Sequence, residues 1–356
     1  MTASPAEITL TLNPESRIDI INVSEGIEQE NEDFFNTFKK SLFCSYHTTA
    51  GYFEQAFCNR LKNNPDALQA YVGTFRRLFP PEAIYQHDQM ELREELSDAQ
   101  KQVEPRNADS HLTYIGSGLE NCVTYNNDAT SPVYFVDLDG LNGNVRRRRK
   151  TTVVGYNSEI VAAREKLDVR MSSHPIDSVN LWDPKLGVVQ MLEDRVRQLG
   201  IQKGRIELTL DVSERNTGLT VNEYETLLMQ HDLVDVLHNP IRFMAQKGRN
   251  MLRDPRAIKE KAKDYAKYDL VHVVNEFIDA MGLSESLIER IIDKFLAVPA
   301  ARFLRMKRSV SLVVSDCVDS GKSRIITGTY QSPILVQWQK AVEGTRSLNI
   351  TFTRFE

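Results

Sequence analysis

Cysteine is scarce in this chain. Cys44, Cys58, Cys122 and Cys317 are widely scattered and form no CxxC pair. Such spacing reads as reduced thiols and excludes a secreted disulfide framework. Long apolar runs are missing too: no stretch reaches the ~18 residues that a membrane-spanning helix needs. The first 31 residues hold no basic stretch followed by an apolar core, so no secretory signal is expected. Positive charge is not in excess either. Lys and Arg number 44 against 49 Asp and Glu, a net charge of −5, which argues against a dedicated nucleic-acid binder. These absences point to a soluble, cytoplasmic protein.

What is present is an ordinary globular balance, with 41% hydrophobic and 26% charged residues. That excludes collagenous or largely disordered chains. At ~100–200 residues per domain, 356 residues suggest two domains.

The two domains read as one unit used twice. Ser45-Tyr46-His47-Thr48-Thr49-Ala50-Gly51 follows the β-like run LFC, as Ser213-Glu214-Arg215-Asn216-Thr217-Gly218-Leu219 follows LTLDV. SPVYFVDLDGLNGNVRRRRKTTVV at 131–154 and SPILVQWQKAVEGTRSLNITF at 332–352 each predict two strands joined by a Gly-containing hairpin. Ile18-Asp19-Ile20 and Ile176-Asp177-Ser178 open the two halves. The three pairs keep the same order, and the pattern predicts α+β units over 1–158 and 165–356 with a junction in Asn157–Lys166. Residues about 230–305 predict a helical insertion in the second unit. Its periodicity runs Val271, Val274, Phe277, Ile278, Met281, then Leu287, Ile291, Phe295.

The first unit carries His47-Thr48-Thr49-Ala50, His87-Asp88, Asn107-Ala108-Asp109-Ser110-His111 and Gly116-Ser117-Gly118. The second carries Leu219-Thr220-Val221-Asn222-Glu223 and Gly328-Thr329-Tyr330-Gln331. In these motifs the chain resembles the YjbQ-like family, also called secondary thiamine-phosphate synthases, over most of 8–156 and more faintly over 167–229 and 309–354. The resemblance implies two tandem YjbQ-like units, each a mostly antiparallel sheet packed with helices. The departures are complementary: the first unit keeps the histidines but lacks GTYQ, whereas the second keeps LTVNE and GTYQ but has Arg215 where His47 stands. One site built by both units would leave that pattern, and so would drift of both copies into non-enzymatic roles.

The activity implied joins a pyrimidine diphosphate to a thiazole phosphate with release of pyrophosphate. His47, His87 and His111 would hold a divalent metal, zinc or another transition metal, or magnesium with the diphosphate. Three imidazoles leave a coordination position open for water or substrate oxygen. Asp88, Asn107 and Gln331 would orient groups around it, with Gln331 offering its amide to substrate. Asp88 reads equally as an exposed turn acid. Asn222 and Glu223 read either as site residues or as capping residues at a helix start. In Arg146-Arg147-Arg148-Arg149-Lys150 at most two or three side chains share a strand face, for a phosphate contact or a charged sheet edge. The basic segment Arg242–Lys267 reads as a solvated helix face. The expected partners are a phosphorylated small molecule and further copies of the chain in a homo-oligomer, a trimer by family analogy, without membrane or nucleic acid. The alternative is a non-catalytic YjbQ-like assembly or partner-binding protein.

Overall fold

The computed structural model describes residues 3–81, 83–94, 96–128, 131–143, 145–225, 227–238, 243, 246, 306–316 and 323–356. The chain is α+β, and every strand pairing among the described residues is antiparallel. Most of the predicted insertion, with its helical periodicity and its basic segment, lies outside the described residues.

The first half opens with β1 (Ala6–Leu12), β2 (Asp19–Asn22), α1 (Val23–Glu30), α2 (Phe34–Thr37), β3 (Lys40–Ser45) and β4 (Ala50–Gly51). Four helices follow: α3 (Gln55–Arg60), α4 (Pro65–Leu78), α5 (Asp98–Val103) and α6 (Ala108–Ser117). The half closes with β5 (Cys122–Asn126), β6 (Tyr134–Asp137), the short pair β7 (Leu141–Asn142) and β8 (Val145–Arg146), and β9 (Arg149–Tyr156). The second half runs β10 (Glu159–Arg170), β11 (Asp177–Asn180), α7 (Val188–Gln198), β12 (Gly204–Leu210), β13 (Thr217–Asn222) and α8 (Leu233–His238). It ends with β14 (Ser309–Asp316), β15 (Ser323–Ile326), β16 (Ser332–Gln337) and β17 (Thr345–Phe355).

The two halves share one strand plan. The large sheet of the first is ordered β1-β9-β3-β5, and that of the second β10-β17-β12-β14-β15. The small sheets are β2-β6-β4 and β11-β16-β13. Likeness extends to side chains. Asp137 and Gln337 end β6 and β16, opposite Asp19 and Asp177 respectively. Arg149 grips Asp137 and the Asp139 carbonyl, while Arg346 grips Gln337 and the Gln339 carbonyl.

One expectation changes here. In 131–154 and 332–352 the two long strands do not pair with each other, because β6 and β9 belong to different sheets, as do β16 and β17; the Gly143 turn joins only the short strands β7 and β8. Alternation identified the strands, but the Arg149 and Arg346 bridges hold the chain as it crosses from sheet to sheet. The charged stretch from Glu159 onward forms the start of the 12-residue strand β10.

Local sequence explains the helices that frame the site. Asn64 caps α4, its Oδ1 accepting from Asp66 N and Ala67 N, with Pro65 at the first turn. Leu68, Val72 and Phe75 then fall on one buried face. The whole of α6 is buried, and Gly118 ends it in the left-handed conformation, φ 79°. Each half has its own core, and two further cores join them. In one, Leu112, Ile115 and Val72 meet Leu228, Leu233 and Val236; in the other, Leu42, Cys44, Cys122 and Tyr156 meet Val313 and Phe355. Tyr156 and Phe355 stack with ring centroids 3.9 Å apart and an interplanar angle of 2°. Among the described residues no helix is long and apolar enough to cross a membrane.

Candidate functional site

His87 and His111 come together although 24 residues separate them in sequence: their ring centroids lie 5.2 Å apart, edge to face. His111 sits on the first turns of α6, which is anchored by Asp88. Asp88 Oδ1 accepts from Asn107 N and Ala108 N, each at 3.1 Å, capping the helix start. Asp88 is therefore buried, not an exposed turn acid.

The second half supplies the Nδ1 partner of each ring. His87 Nδ1 donates to Glu225 Oε2 at 3.1 Å, and His87 Nε2 lies 3.4 Å from Asn107 Oδ1. Asn107 Nδ2 donates to Asp139 at 3.0 Å, which leaves its Oδ1 to accept. Both ring nitrogens of His87 thus face acceptors, as an imidazolium requires. Burial opposes that charge most strongly, but Glu225 and then Asp88 outweigh it, and the net shift of His87 is upward. Glu225 moves the opposite way: burial resists, the His87 bond and backbone donors prevail, and its carboxyl is held below the usual range. Asp232 completes the clamp, accepting from the backbone N–H groups of Gln86 and His87 at 3.1 and 3.0 Å.

His111 is the counterpart in the other protonation state. Asn222 Nδ2 donates to the Thr48 carbonyl, and Asn222 Oδ1 accepts from Glu223 N. That fixes Oδ1 as the acceptor for His111 Nδ1 at 2.7 Å. His111 therefore carries its proton on Nδ1 and a lone pair on Nε2. Burial, then the neighbouring His87 charge, pushes its pKa well down. Nε2 is buried without a hydrogen-bond partner, 3.6 Å from Glu223 Oε2. Burial raises the Glu223 carboxyl above its usual range, and Arg93 lies 3.6 Å from Glu223 and from Glu104.

His47 takes a third role. Its Nε2 accepts from Lys150 N at 2.7 Å, so the ring is neutral. Burial, Arg149 and Arg147 push its pKa down to about 3. The three imidazoles thus go to different partners, and the arrangement does not fit a shared three-histidine ligand set. Among the described residues no group of three or more His, Cys, Asp or Glu is arranged to hold a metal ion.

The Gln331 amide is engaged within the fold. It is buried, its Nε2 donates to the Ser45 and His47 carbonyls at 3.0 and 2.9 Å, and its Oε1 accepts from Gly328 N. Gly328 is required where it stands, since a Cβ there would overlap the Tyr46 carbonyl oxygen. The GTYQ turn of the second half is a clamp on the histidine-bearing loop of the first. The basic run divides as well. Arg149 is buried against Asp137, while Arg147 is partly exposed, donates to Asp139 at 3.0 Å and has a buried Nε without a partner.

Asn222 lies at the end of a strand, not at a helix start. His231 falls in a π-helical turn and His238 at the end of α8, so both lie in helical structure. Glu225, Asp232, Asp139 and Arg93 were not singled out from sequence. Glu225 alone had a signal, as an acid two positions beyond LTVNE.

No family model and no curated protein matches this chain. Solved structures similar to it include a YbjQ-like protein of unknown function from Sulfolobus solfataricus, 15% identical, covering 55% of this chain and 99% of its own, with a TM-score of 0.29. A conserved hypothetical protein from Thermus thermophilus is 15% identical over 54% of this chain and 99% of its own, TM-score 0.25. An uncharacterized protein of the YjbQ family from Clostridium acetobutylicum is 11% identical over 53% and 98%, TM-score 0.25.

Proposed function

We propose that the His87–His111 cluster is the active site of a transferase resembling the secondary thiamine-phosphate synthases, built once per chain from both halves. Its substrates would be a pyrimidine diphosphate and a thiazole phosphate. The observation that carries the reading is the pairing of buried His87, whose two ring nitrogens both face acceptors, with His111, whose Nε2 lone pair has no protein donor. His111 Nε2 and Glu223 Oε2 stand 3.6 Å apart and both accept hydrogen bonds. Adjacent N–H donors on an amino-substituted heterocycle suit that pair. The His87 charge and the partly exposed Arg147 guanidinium would oppose negative charge developing on the leaving diphosphate. A duplication would account for Gln337 and Gln339 in the second half where the first has Asp137 and Asp139, the second copy supporting the site without keeping one of its own.

A non-catalytic, partner-binding protein is the second reading, and one feature favours it. The Gln331 amide and His47 Nε2 are both consumed by internal bonds. The two readings separate in an assay of pyrophosphate release from the paired substrates. Product from wild type, lost in His111→Ala, supports the enzyme; no product from folded wild-type protein supports the second reading. By the resemblance we also propose a trimer of two-unit chains, which a monomer mass in native mass spectrometry would exclude.

A further inference from the structure

We propose that Cys44 and Cys122 form a redox modification site, closing to a reversible disulfide in the core that joins the two halves. The residues face each other across β3 and β5. The next pair is hydrogen-bonded, Ser45 N donating to Asn121 O at 2.7 Å, so Cys44 and Cys122 occupy a non-hydrogen-bonded position. There Cα atoms approach to about 4.5 Å, inside the range a disulfide spans. The Sγ atoms already lie 3.1 Å apart, with Cys122 donating to Cys44. Small side-chain rotations bring them to the bond length of about 2.05 Å.

Both thiols are buried, at 0% and 4% exposure, which admits only a small oxidant. Hydrogen peroxide is the class that fits. Asn121 Nδ2 donates toward Cys122 Sγ at 3.4 Å. Cys122, as its thiolate, attacks the peroxide O–O bond, giving sulfenic acid and hydroxide. Cys44 sulfur then displaces the sulfenic oxygen as water, so two thiols and one peroxide become one disulfide and two waters. Burial and the adjacent Cys122 push the Cys44 thiol well up, which makes closure slow. The bond links positions 78 apart. The loop it closes holds His47, His87, Asn107 and His111.

The test treats the full chain with hydrogen peroxide, blocks remaining thiols under denaturing conditions and maps linked peptides by mass. Cys58 is the internal control, since it is equally buried but its Sγ is hydrogen-bonded to Tyr125. The expected result is a Cys44–Cys122 peptide reversed by dithiothreitol, with Cys58 still alkylated. The oxidised protein should melt at least about 5 °C higher, as closure of a long loop predicts. Cys122→Ala should show neither change. Wild type that keeps all its thiols, a link to Cys58 or Cys317 instead, or sulfinic acid on Cys122 without a cross-link would each overturn the proposal. Thiol mapping on wild type stands even if the variant fails to fold.

Discussion

Glu225 holds the ring of His87 across 138 positions of sequence, carboxylate to Nδ1 at 3.1 Å, with both side chains buried. The bond ties the second half to the first and pushes the His87 pKa up. Glu225→Gln keeps the shape and removes the charge. The His87 pKa, followed by NMR, should lie above about 6.5 in wild type and fall below it in the variant. The stability this pair contributes is full below the unfolded imidazole pKa and is lost as pH rises through the elevated folded value. Melting curves of wild type against Glu225→Gln should therefore converge on the alkaline side. A pH-independent gap would refute this.

Asn222→Ala should leave His111 Nδ1 and the Thr48 carbonyl unpaired. Loss of about 1–3 kcal/mol in denaturant unfolding is expected, because buried groups lose their partners. Loss below 0.5 kcal/mol, the size of a surface substitution, would mean that the Asn222 bonds do not hold the ring.

Gly328→Ala tests the clamp on the His47 loop. A methyl group there collides with backbone, so the turn must move and Gln331 must release Ser45 and His47. Destabilisation of about 2 kcal/mol or more is expected, together with a raised His47 pKa by NMR as the buried loop opens to water. An unperturbed His47 resonance would contradict the clamp.

Glu120 gives a separate pH signature between the halves. Burial raises its carboxyl to about 7, despite Lys307 Nζ at 3.0 Å. A carboxyl whose folded pKa exceeds its unfolded value binds more protons when folded, so stability falls as pH rises from about 4.5 toward 7. Glu120→Gln should flatten that slope in melting temperatures taken across the window. A slope equal to that of wild type would count against it.

The α+β class was legible in the Ser45, Ile18 and Ser131 segments, because strand alternation and turn residues are local. The Ile18 and Ile176 segments do begin the matching strands β2 and β11. Sheet membership was not legible, since β6 and β9 alternate alike whether or not they pair. The histidines could be named from sequence but not assigned partners. Each partner lies across the junction, Asn222 for His111, Glu225 for His87 and Gln331 for the His47 loop, and no spacing rule links residues 111 to 286 positions apart. The Cys44–Cys122 pair was hidden because strand pairing within the first half, not spacing, brings together positions 78 apart.

The most direct test of the central claim, one active site made by both halves, is a double-mutant cycle on pyrophosphate release. It uses His111→Ala from the first half and Asn222→Ala from the second. The expected result is loss of about 100-fold or more in kcat/KM for His111→Ala, a smaller loss for Asn222→Ala, and no further loss in the double variant, since the second residue acts only through the first. Additive losses, or wild-type activity in His111→Ala, would contradict a shared site.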